Sequence, residues 1–156
     1  MRRVGICGTE VKDERFNYIK NEFGVAHPIN VMGQPKEKIA KITGGDMATA
    51  VFDATGNRKA LESGIDYMSH GGKYILVGLS IGELTYSHPQ IHAKGTTVLC
   101  SRNATLEIFQ LVIEHIKEFP TKSFITHQVN FSEIIENFDS WLLSETGVIK
   151  TMVNFD

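Results

Sequence analysis

Long apolar runs are missing from this sequence of 156 residues. No run approaches the roughly 20 residues that a membrane-spanning helix requires. The basic start, Met1 to Arg3, is followed by too short an apolar stretch for a secretory signal peptide. We therefore expect no membrane-spanning segment, and no membrane among the partners.

A strong charge of either sign is also missing. The chain has 16 basic and 18 acidic side chains, which gives a formal net charge of -2. This balance provides no electrostatic reason to expect nucleic acid or an anionic surface as a partner. The hydrophobic content of 42% and charged content of 22% are ordinary for a globular protein of this length, which can bury a sizeable core.

Cysteine is scarce, since Cys7 and Cys100 are the only two. Both lie in apolar, strand-like runs. This favours buried free thiols in a reducing compartment over a disulfide, which remains the alternative. We therefore expect a cytoplasmic protein.

The most informative segment is 50–79, which predicts a strand, a tight turn, a helix and a second strand. The two strands are short apolar runs without polar alternation, typical of a parallel sheet covered on both faces. Asn57 is predicted to cap the helix and Gly71–Gly72 to end it. Ligands of such sheets bind beyond the carboxyl ends of the strands, which are here Asp53–Gly56 and Gly78–Leu79. The apolar face of the helix would consist of Leu61, Ile65 and Met68.

Strands and helices alternate along nearly the whole chain, which predicts an α/β fold with a mainly parallel sheet and helices on both faces. Predicted strands cover residues 3–8, 26–31, 96–100, 124–131 and 148–155, with a strand-like stretch at Leu84–Tyr86. Pro28 suggests an edge position for the second of these. Predicted helices cover 13–23 and 35–43, a third runs through Phe119, and another follows its cap at Ser132. The third helix would follow Asn103 or Thr105 as its cap and face the core with Ile108, Phe109, Val112, Ile113 and Ile116.

Six segments share one order and spacing with a known family. They are Glu10–Phe16, Val51–Asn57, Gly71–Leu79, Ser101–Thr105, Ile125–His127 and Thr146–Lys150. Together they resemble the zinc-dependent, medium-chain alcohol and polyol dehydrogenases. The matching part is the later half of that family's nucleotide-binding domain and the segment that returns to its catalytic domain.

The resemblance implies a truncated Rossmann-like domain over residues 1–122 and a strand-helix-strand segment over 123–156. It also implies NAD as the cofactor. Glu10 would bind the ribose hydroxyls, Arg15 would lie near the adenosine, and Lys150 would approach the phosphates. The alternatives are exposed charged residues at Glu10 and Lys150, and turn or cap roles for Asp53 and Asn103. The cofactor-binding residues implied by the resemblance are Glu10, Arg15, Thr55, Gly56, Gly78, Leu79 and Lys150.

The sequence also departs from the family. It has no Gly-x-Gly-x-x-Gly turn for a pyrophosphate, no Gly-His-Glu zinc segment and no four-cysteine lobe. Arg3–Thr9 resembles the family's early segment, in which a cysteine binds the catalytic zinc, and this implies a large internal deletion. Cys7 lacks the further ligands that zinc needs. His88 and His92 are four residues apart, but Pro89 favours a loop. We therefore predict no catalytic residue and no metal site.

A deletion in the first half of the domain would leave the centre of the sheet unpaired, which is costly for buried backbone groups. We hypothesise that Arg3–Gly8 fills the gap and pairs with Ala26–Asn30 on one side and Ala50–Asp53 on the other. The expected function is a truncated NAD-dependent oxidoreductase that is inactive alone and binds nucleotide weakly at most. The alternatives are a non-catalytic assembly module and one half of an enzyme completed by another chain. A homodimer through the sheet edge at Leu84–Ser87 is expected.

Overall fold

The computed structural model describes residues 13–143 and 146–155, with side chains from residue 16 onward. It divides into two compact units, Met1–Asn103 and Ala104–Asp156. The predicted strand at 3–8, with Cys7, lies outside the described residues. The family-based boundary at residue 122 stays a prediction.

The first unit consists of α1 (Asp13–Phe23), α2 (Pro35–Thr43), β1 (Ala48–Asp53), α3 (Arg58–Ser63), β2 (Met68–Leu76), α4 (His88–Lys94) and β3 (Thr97–Cys100). The second consists of α5 (Leu106–His115), α6 (Thr121–Phe124), β4 (Ile125–Asn130), α7 (Ile134–Trp141) and β5 (Lys150–Asn154). Short 3-10 helices follow α3 (Gly64–Tyr67) and α5 (Ile116–Glu118) and precede α7 (Phe131–Glu133).

Both sheets are parallel. In the first unit the strand order is β1-β2-β3, and in the second unit β4 pairs with β5. Each pair is joined through a helix, as parallel strands require. The α/β class with parallel sheets is therefore confirmed.

The first two helices have the predicted bounds because their ends carry strong signals. Gly24, with φ 62°, follows α1, and Gly44, with φ 67°, follows α2. A left-handed residue after a helix is most easily supplied by glycine. Pro35 opens α2, where its missing N–H costs nothing.

The core of the first unit lies between its sheet and its helices, around the ring of Tyr74. The Tyr74 hydroxyl donates to the Leu61 carbonyl at 2.7 Å. A Cβ atom at Gly64 would lie 2.2 Å from the Tyr74 hydroxyl oxygen, so only glycine fits beside this ring. The other fully buried side chains are those of Ile39, Thr43, Leu61, Ile65 and Met68.

The predicted central helix is too long. The helix changes to a 3-10 turn at Gly64, and Met68 already belongs to β2, as do Gly71 and Gly72. The ammonium of Lys94 explains this early end, because it donates to the carbonyls of Ile65 and Met68 at 2.9 Å each. These carbonyls are thus satisfied without a further helical turn.

The predicted strand at 26–31 is wrong. These residues form a loop and a turn, in which the amide of Met32 donates to the Asn30 side chain at 2.9 Å and the amide of Gly33 to the Asn30 carbonyl at 3.0 Å. Pro28 has no N–H for a ladder, and the asparagine offers the backbone a turn instead.

The strand-like stretch Leu84–Tyr86 is also not a strand. Its backbone is held from within the chain, since the Thr85 amide donates to a Glu62 carboxylate oxygen at 3.0 Å. A homodimer through Leu84–Ser87 stays a prediction.

β3 forms where predicted, at Thr97–Cys100, but it is not buried. Val98 and Leu99 are exposed, and Cys100 is an exposed free thiol. β3 is the last strand of its sheet in the part of the chain that the structure describes. The apolar run at 96–100 therefore predicted the strand correctly, but the prediction that its side chains are buried is wrong.

The second unit differs from the predictions in its burial and in one cap. Thr105 caps α5, but the side chains expected to face the core are all exposed. Asn130 and Glu133, rather than Ser132, form the capping box before α7. β4 alternates between partly buried and exposed side chains, as its sequence predicts. No helix among residues 13–143 and 146–155 is long and apolar enough to cross a membrane. The cytoplasmic location stays a prediction.

Candidate functional site

The loops after β1 and β2 meet at the carboxyl end of the sheet. The amides of Val77 and Gly78 both donate to the Asp53 carbonyl at 2.8 Å. A Cβ atom at Gly78 would lie 2.3 Å from the backbone nitrogen of Gly56, and one at Gly56 would lie 2.9 Å from the Leu79 carbonyl oxygen. The two glycines therefore allow the backbones of the two loops to touch, and a side chain at either position would push the loops apart.

Four of the seven predicted cofactor-binding residues come together at this contact. Thr55 and Gly56 follow β1, and Gly78 and Leu79 follow β2. Gly56 also has φ 64°, a conformation in which side chains are strained. The side chain of Leu79 is exposed.

Asp53 organises the first loop. Its carboxylate is nearly buried, and Oδ1 accepts from both the amide and the hydroxyl of Thr55 at 2.8 Å. The Thr55 hydroxyl oxygen in turn accepts from the Asn57 amide at 3.1 Å, and the Asn57 side chain caps α3 by accepting from Ala60. These are the turn and cap roles that the sequence left open for Asp53 and predicted for Asn57.

The remaining three predicted cofactor-binding residues do not lie at this contact among the described residues. Glu10 lies outside the described residues. Arg15 belongs to α1 by its backbone, and its side chain lies outside the described part. Lys150 opens β5 in the second unit, where it is exposed.

A cleft of about 580 Å³ runs beside β1 and reaches this site. Its lining includes both Val51 and Phe52, which point to opposite faces of the strand, so the cleft follows the strand's edge. Val31 and Met32 line it from the loop after α1. The other wall runs along α3 and the 3-10 helix that follows it, with Asn57, Lys59, Ala60, Ser63, Gly64 and Tyr67. Sequence analysis missed this cleft, because it expected Arg3–Gly8 to pair with Ala50–Asp53 at this position.

Tyr74 and Tyr86 lie close enough to Asp53 for its negative charge to act on them, and both stay neutral. Burial raises the pKa of Tyr74 far above its ordinary value, and the negative charge of Asp53 adds to the effect. Burial also raises the pKa of Tyr86, with smaller contributions from Glu62 and Asp53. Neither phenol is therefore suited to lose a proton near neutral pH.

The histidine pair is a correction to the sequence analysis. His88 and His92 lie on one helix, α4, with ring centroids 5.8 Å apart. Pro89 is tolerated there because it occupies the first turn. Within the described ranges, however, no three histidine, cysteine or acidic side chains come together as metal ligands. The described residues thus provide no zinc site, which needs at least three protein ligands.

With the geometry established, comparisons with known proteins identify a family resemblance. A family model described as "Zinc-binding dehydrogenase" matches residues 3–118. The match begins at residue 3, so it includes Arg3–Thr9 together with the segments that follow. This gives no support to the comparison of Arg3–Thr9 with a separate, early segment of the family.

One curated relative is L-galactonate-5-dehydrogenase of Escherichia coli (strain K12). It is 36% identical over 114 residues, which cover 72% of this chain and 34% of the relative. The chain therefore spans about a third of that protein's length.

Solved structures show the same fold. Benzyl alcohol dehydrogenase from Acinetobacter calcoaceticus matches with a TM-score of 0.80 and 19% identity, over 98% of this chain and 42% of that chain. A short chain alcohol dehydrogenase from E. coli CFT073, complexed with cofactor NADH, matches with a TM-score of 0.81 and 22% identity, over 94% and 43%. At these identities the likeness is one of fold.

Proposed function

The chain belongs to the zinc-type alcohol and polyol dehydrogenase family, and from this premise we propose that the paired loops after β1 and β2 form part of an NAD-binding site. The observation that carries the proposal is the backbone contact between Gly56 and the Gly78–Leu79 loop. It lies at the carboxyl ends of parallel strands, where such sheets bind their ligands.

The chemistry of the site suits the uncharged parts of a dinucleotide. Thr55 and Gly78 are partly accessible, and the cleft beside them is mainly apolar. When bound, the nicotinamide accepts or donates a hydride, and the role of these loops is to position the ligand.

We further propose that binding is weak and that this chain alone does not catalyse hydride transfer. The sequence contains no Gly-x-Gly-x-x-Gly turn, so the pyrophosphate lacks the amide-lined helix start that normally holds it. The described residues do not fit zinc, because no ligand set converges. We therefore assign no catalytic step to a metal held by these residues.

Isothermal titration of the full chain with NAD⁺ and with NADH tests the binding proposal. We expect saturable binding with a dissociation constant of about 1 mM, which corresponds to about −4 kcal/mol. Zinc content and alcohol-dependent NADH formation are measured in the same preparation. Turnover by a zinc-loaded chain would contradict the inactive state proposed here.

The variant Gly78→Ala tests whether binding depends on the loop contact. Its new methyl group meets backbone atoms of Ala54 and Gly56, so it separates the loops and should reduce NADH affinity at least about tenfold. The matched control is Gly33→Ala, whose methyl group meets the flexible end of Lys38. Equal affinities in both variants would mean that the nucleotide binds elsewhere or not at all.

A further inference from the structure

We propose that His88 and His92, on the exposed face of α4, form a two-histidine chelate for a late first-row transition metal ion, Ni²⁺ or Cu²⁺. Two protein ligands do not make the zinc site considered above, and water occupies the remaining coordination positions of the proposed ion. The proposal does not depend on nucleotide binding, since it uses none of the residues in the loops after β1 and β2.

The two imidazoles stand one helical turn apart. Residues four apart in an α-helix lie on the same face, with Cβ atoms about 5–6 Å from each other. The ring centroids of His88 and His92 are 5.8 Å apart, and both residues are exposed. Metal–nitrogen bonds of about 2.1 Å place two rings at neighbouring coordination positions about 4.5–5 Å apart, from centroid to centroid. Side-chain rotations that move the rings by about 1 Å therefore bring both onto one ion.

The opposite face of α4 holds the helix in place. Ile91 packs against the core cluster that contains Tyr74. The side-chain amide of Gln90 donates to the Asp66 carboxylate, and Lys94 donates to the two carbonyls described above. Because these three side chains fix the backbone of α4, the two histidines lose little freedom when they bind the same ion.

The ends of α4 keep the full turn between the two histidines. Pro89 lies in the first turn, where its missing N–H leaves no bond unmade. Gly95, with φ 58°, follows the last residue, and its amide donates to the carbonyls of Ile91 and His92. The short helix is thus defined from its first turn to its last, and the loop that the sequence predicted here would not have set this spacing.

The two rings of α4 also differ from other histidines in their partners. His115 faces a Glu118 carboxylate oxygen at 3.8 Å, and His127 contacts the Thr126 hydroxyl at 3.0 Å. Within the described part of the chain, each ring of the α4 pair has the other as its ring contact. Their nitrogens are therefore available, and imidazole nitrogen is a good ligand for Ni²⁺ and Cu²⁺.

Isothermal titration of the full chain with Ni²⁺ tests the proposal. The chain is prepared without a histidine tag, and Ni²⁺ is chosen because the exposed thiol of Cys100 would reduce Cu²⁺. We expect one ion per chain at this site. His88→Gln or His92→Gln removes one of two linked ligands, so each should lower the affinity about 100-fold.

The matched control changes the spacing and keeps the number of histidines. In the double variant His92→Gln, Ala93→His the second histidine moves by one exposed position of α4 and leaves the shared face, so the affinity should fall as in His92→Gln. His70→Gln, at an exposed position of β2, should bind like wild type. Wild-type affinity in the spacing variant, or an equal loss in His70→Gln, would overturn the proposal. One ion per two chains would also overturn it, because a second copy would then complete the site.

Modification of the unsubstituted chain gives a measurement that does not depend on any variant. Diethyl pyrocarbonate acylates accessible imidazole nitrogens, and mass spectrometry of the digested chain locates the modified residues. With Ni²⁺ at about ten times its measured dissociation constant, modification of His88 and His92 should slow about tenfold, while His70 should be unaffected. Equal slowing at all three positions, or slowing at none, would refute the proposal.

Discussion

The two units of this protein contain similar apolar sequences, but their apolar side chains differ in how far they are buried. In the first unit Leu61, Ile65 and Tyr74 are at most 2% exposed and lie between helices and a three-stranded sheet. In the second unit α5 is apolar on nearly every side, yet Phe109 is 57% exposed and no described side chain of this unit is fully buried. A helix of that composition is ordinarily a buried one. The comparison shows that apolarity determines where a helix forms, while burial depends on which surfaces are available to pack against it.

The largest expected difference concerns matched aromatic truncations. Tyr74→Ala removes a fully buried ring and its hydrogen bond to Leu61, and should destabilise the first unit by about 3–5 kcal/mol. Phe109→Ala removes an exposed ring and should cost less than about 1 kcal/mol. Urea unfolding measures both, with circular dichroism for the whole chain and fluorescence of Trp141, the only tryptophan, for the second unit. Equal costs would mean that α5 is buried in solution.

A partly buried lysine is the next test of the first unit. Lys94→Met keeps the apolar stem but removes a donor to the Met68 carbonyl and one of the two donors to the Ile65 carbonyl, so we expect a loss of about 1–3 kcal/mol. Lys117→Met, at an exposed position of the second unit, should change stability by less than about 0.5 kcal/mol. Burial lowers the pKa of Lys94. The wild-type first unit should therefore gain stability as the pH rises through that lowered pKa, and the methionine variant should not.

Helix caps should have the same effect in both units, because a cap acts locally. Asn57→Ala removes the acceptor for the Ala60 amide in the first unit, and Thr105→Ala removes the acceptor for the Ile108 amide in the second. We expect each to cost about 1 kcal/mol. Thermal melts with segment-resolved hydrogen exchange would check this. A negligible effect at Thr105 alone would show that α5 is not a stable helix in solution.

The smallest expected effect is a pH dependence at the partly exposed carboxylate of Glu62. Its hydrogen bond from the Thr85 amide, and then that from Arg58, lower the pKa of this group below its ordinary 4.5. A lowered pKa means that the stabilisation is present above the unfolded-state value and is lost as the pH falls through the folded-state value. The stabilities of wild type and Glu62→Gln should therefore differ by a small amount near neutral pH and converge as the pH falls below about 4.5. A difference that stays constant into acid would contradict the assignment.

Local signals predicted much of the fold. The bounds of α1 and α2 follow from Gly24, Pro35 and Gly44, whose backbone preferences act without help from distant residues. The cap at Asn57 and the meeting of the loops after β1 and β2 were likewise predicted. Asparagine is a common helix cap, and the carboxyl ends of neighbouring parallel strands lie at the same edge of a sheet. The same reasoning failed at Met68, where Lys94, distant in sequence, ends the helix early.

The candidate site was predictable only in part. Thr55, Gly56, Gly78 and Leu79 could be brought together from the sequence, because each follows a strand of one sheet. The cleft beside β1 could not, since its walls come from a loop that was predicted as a strand and from α3. Likewise, Pro89 suggested a loop, whereas its position in the first turn of α4 makes a helix acceptable.

By itself, then, the sequence determined the family, the α/β class and the positions of most helices and strands, because these depend on short-range preferences and on the order of motifs. Only the tertiary structure decided which apolar residues are buried and where the central helix ends. These properties depend on packing between residues far apart in the chain, as at Gly64, where the ring of Tyr74 fills the space that any side chain would need.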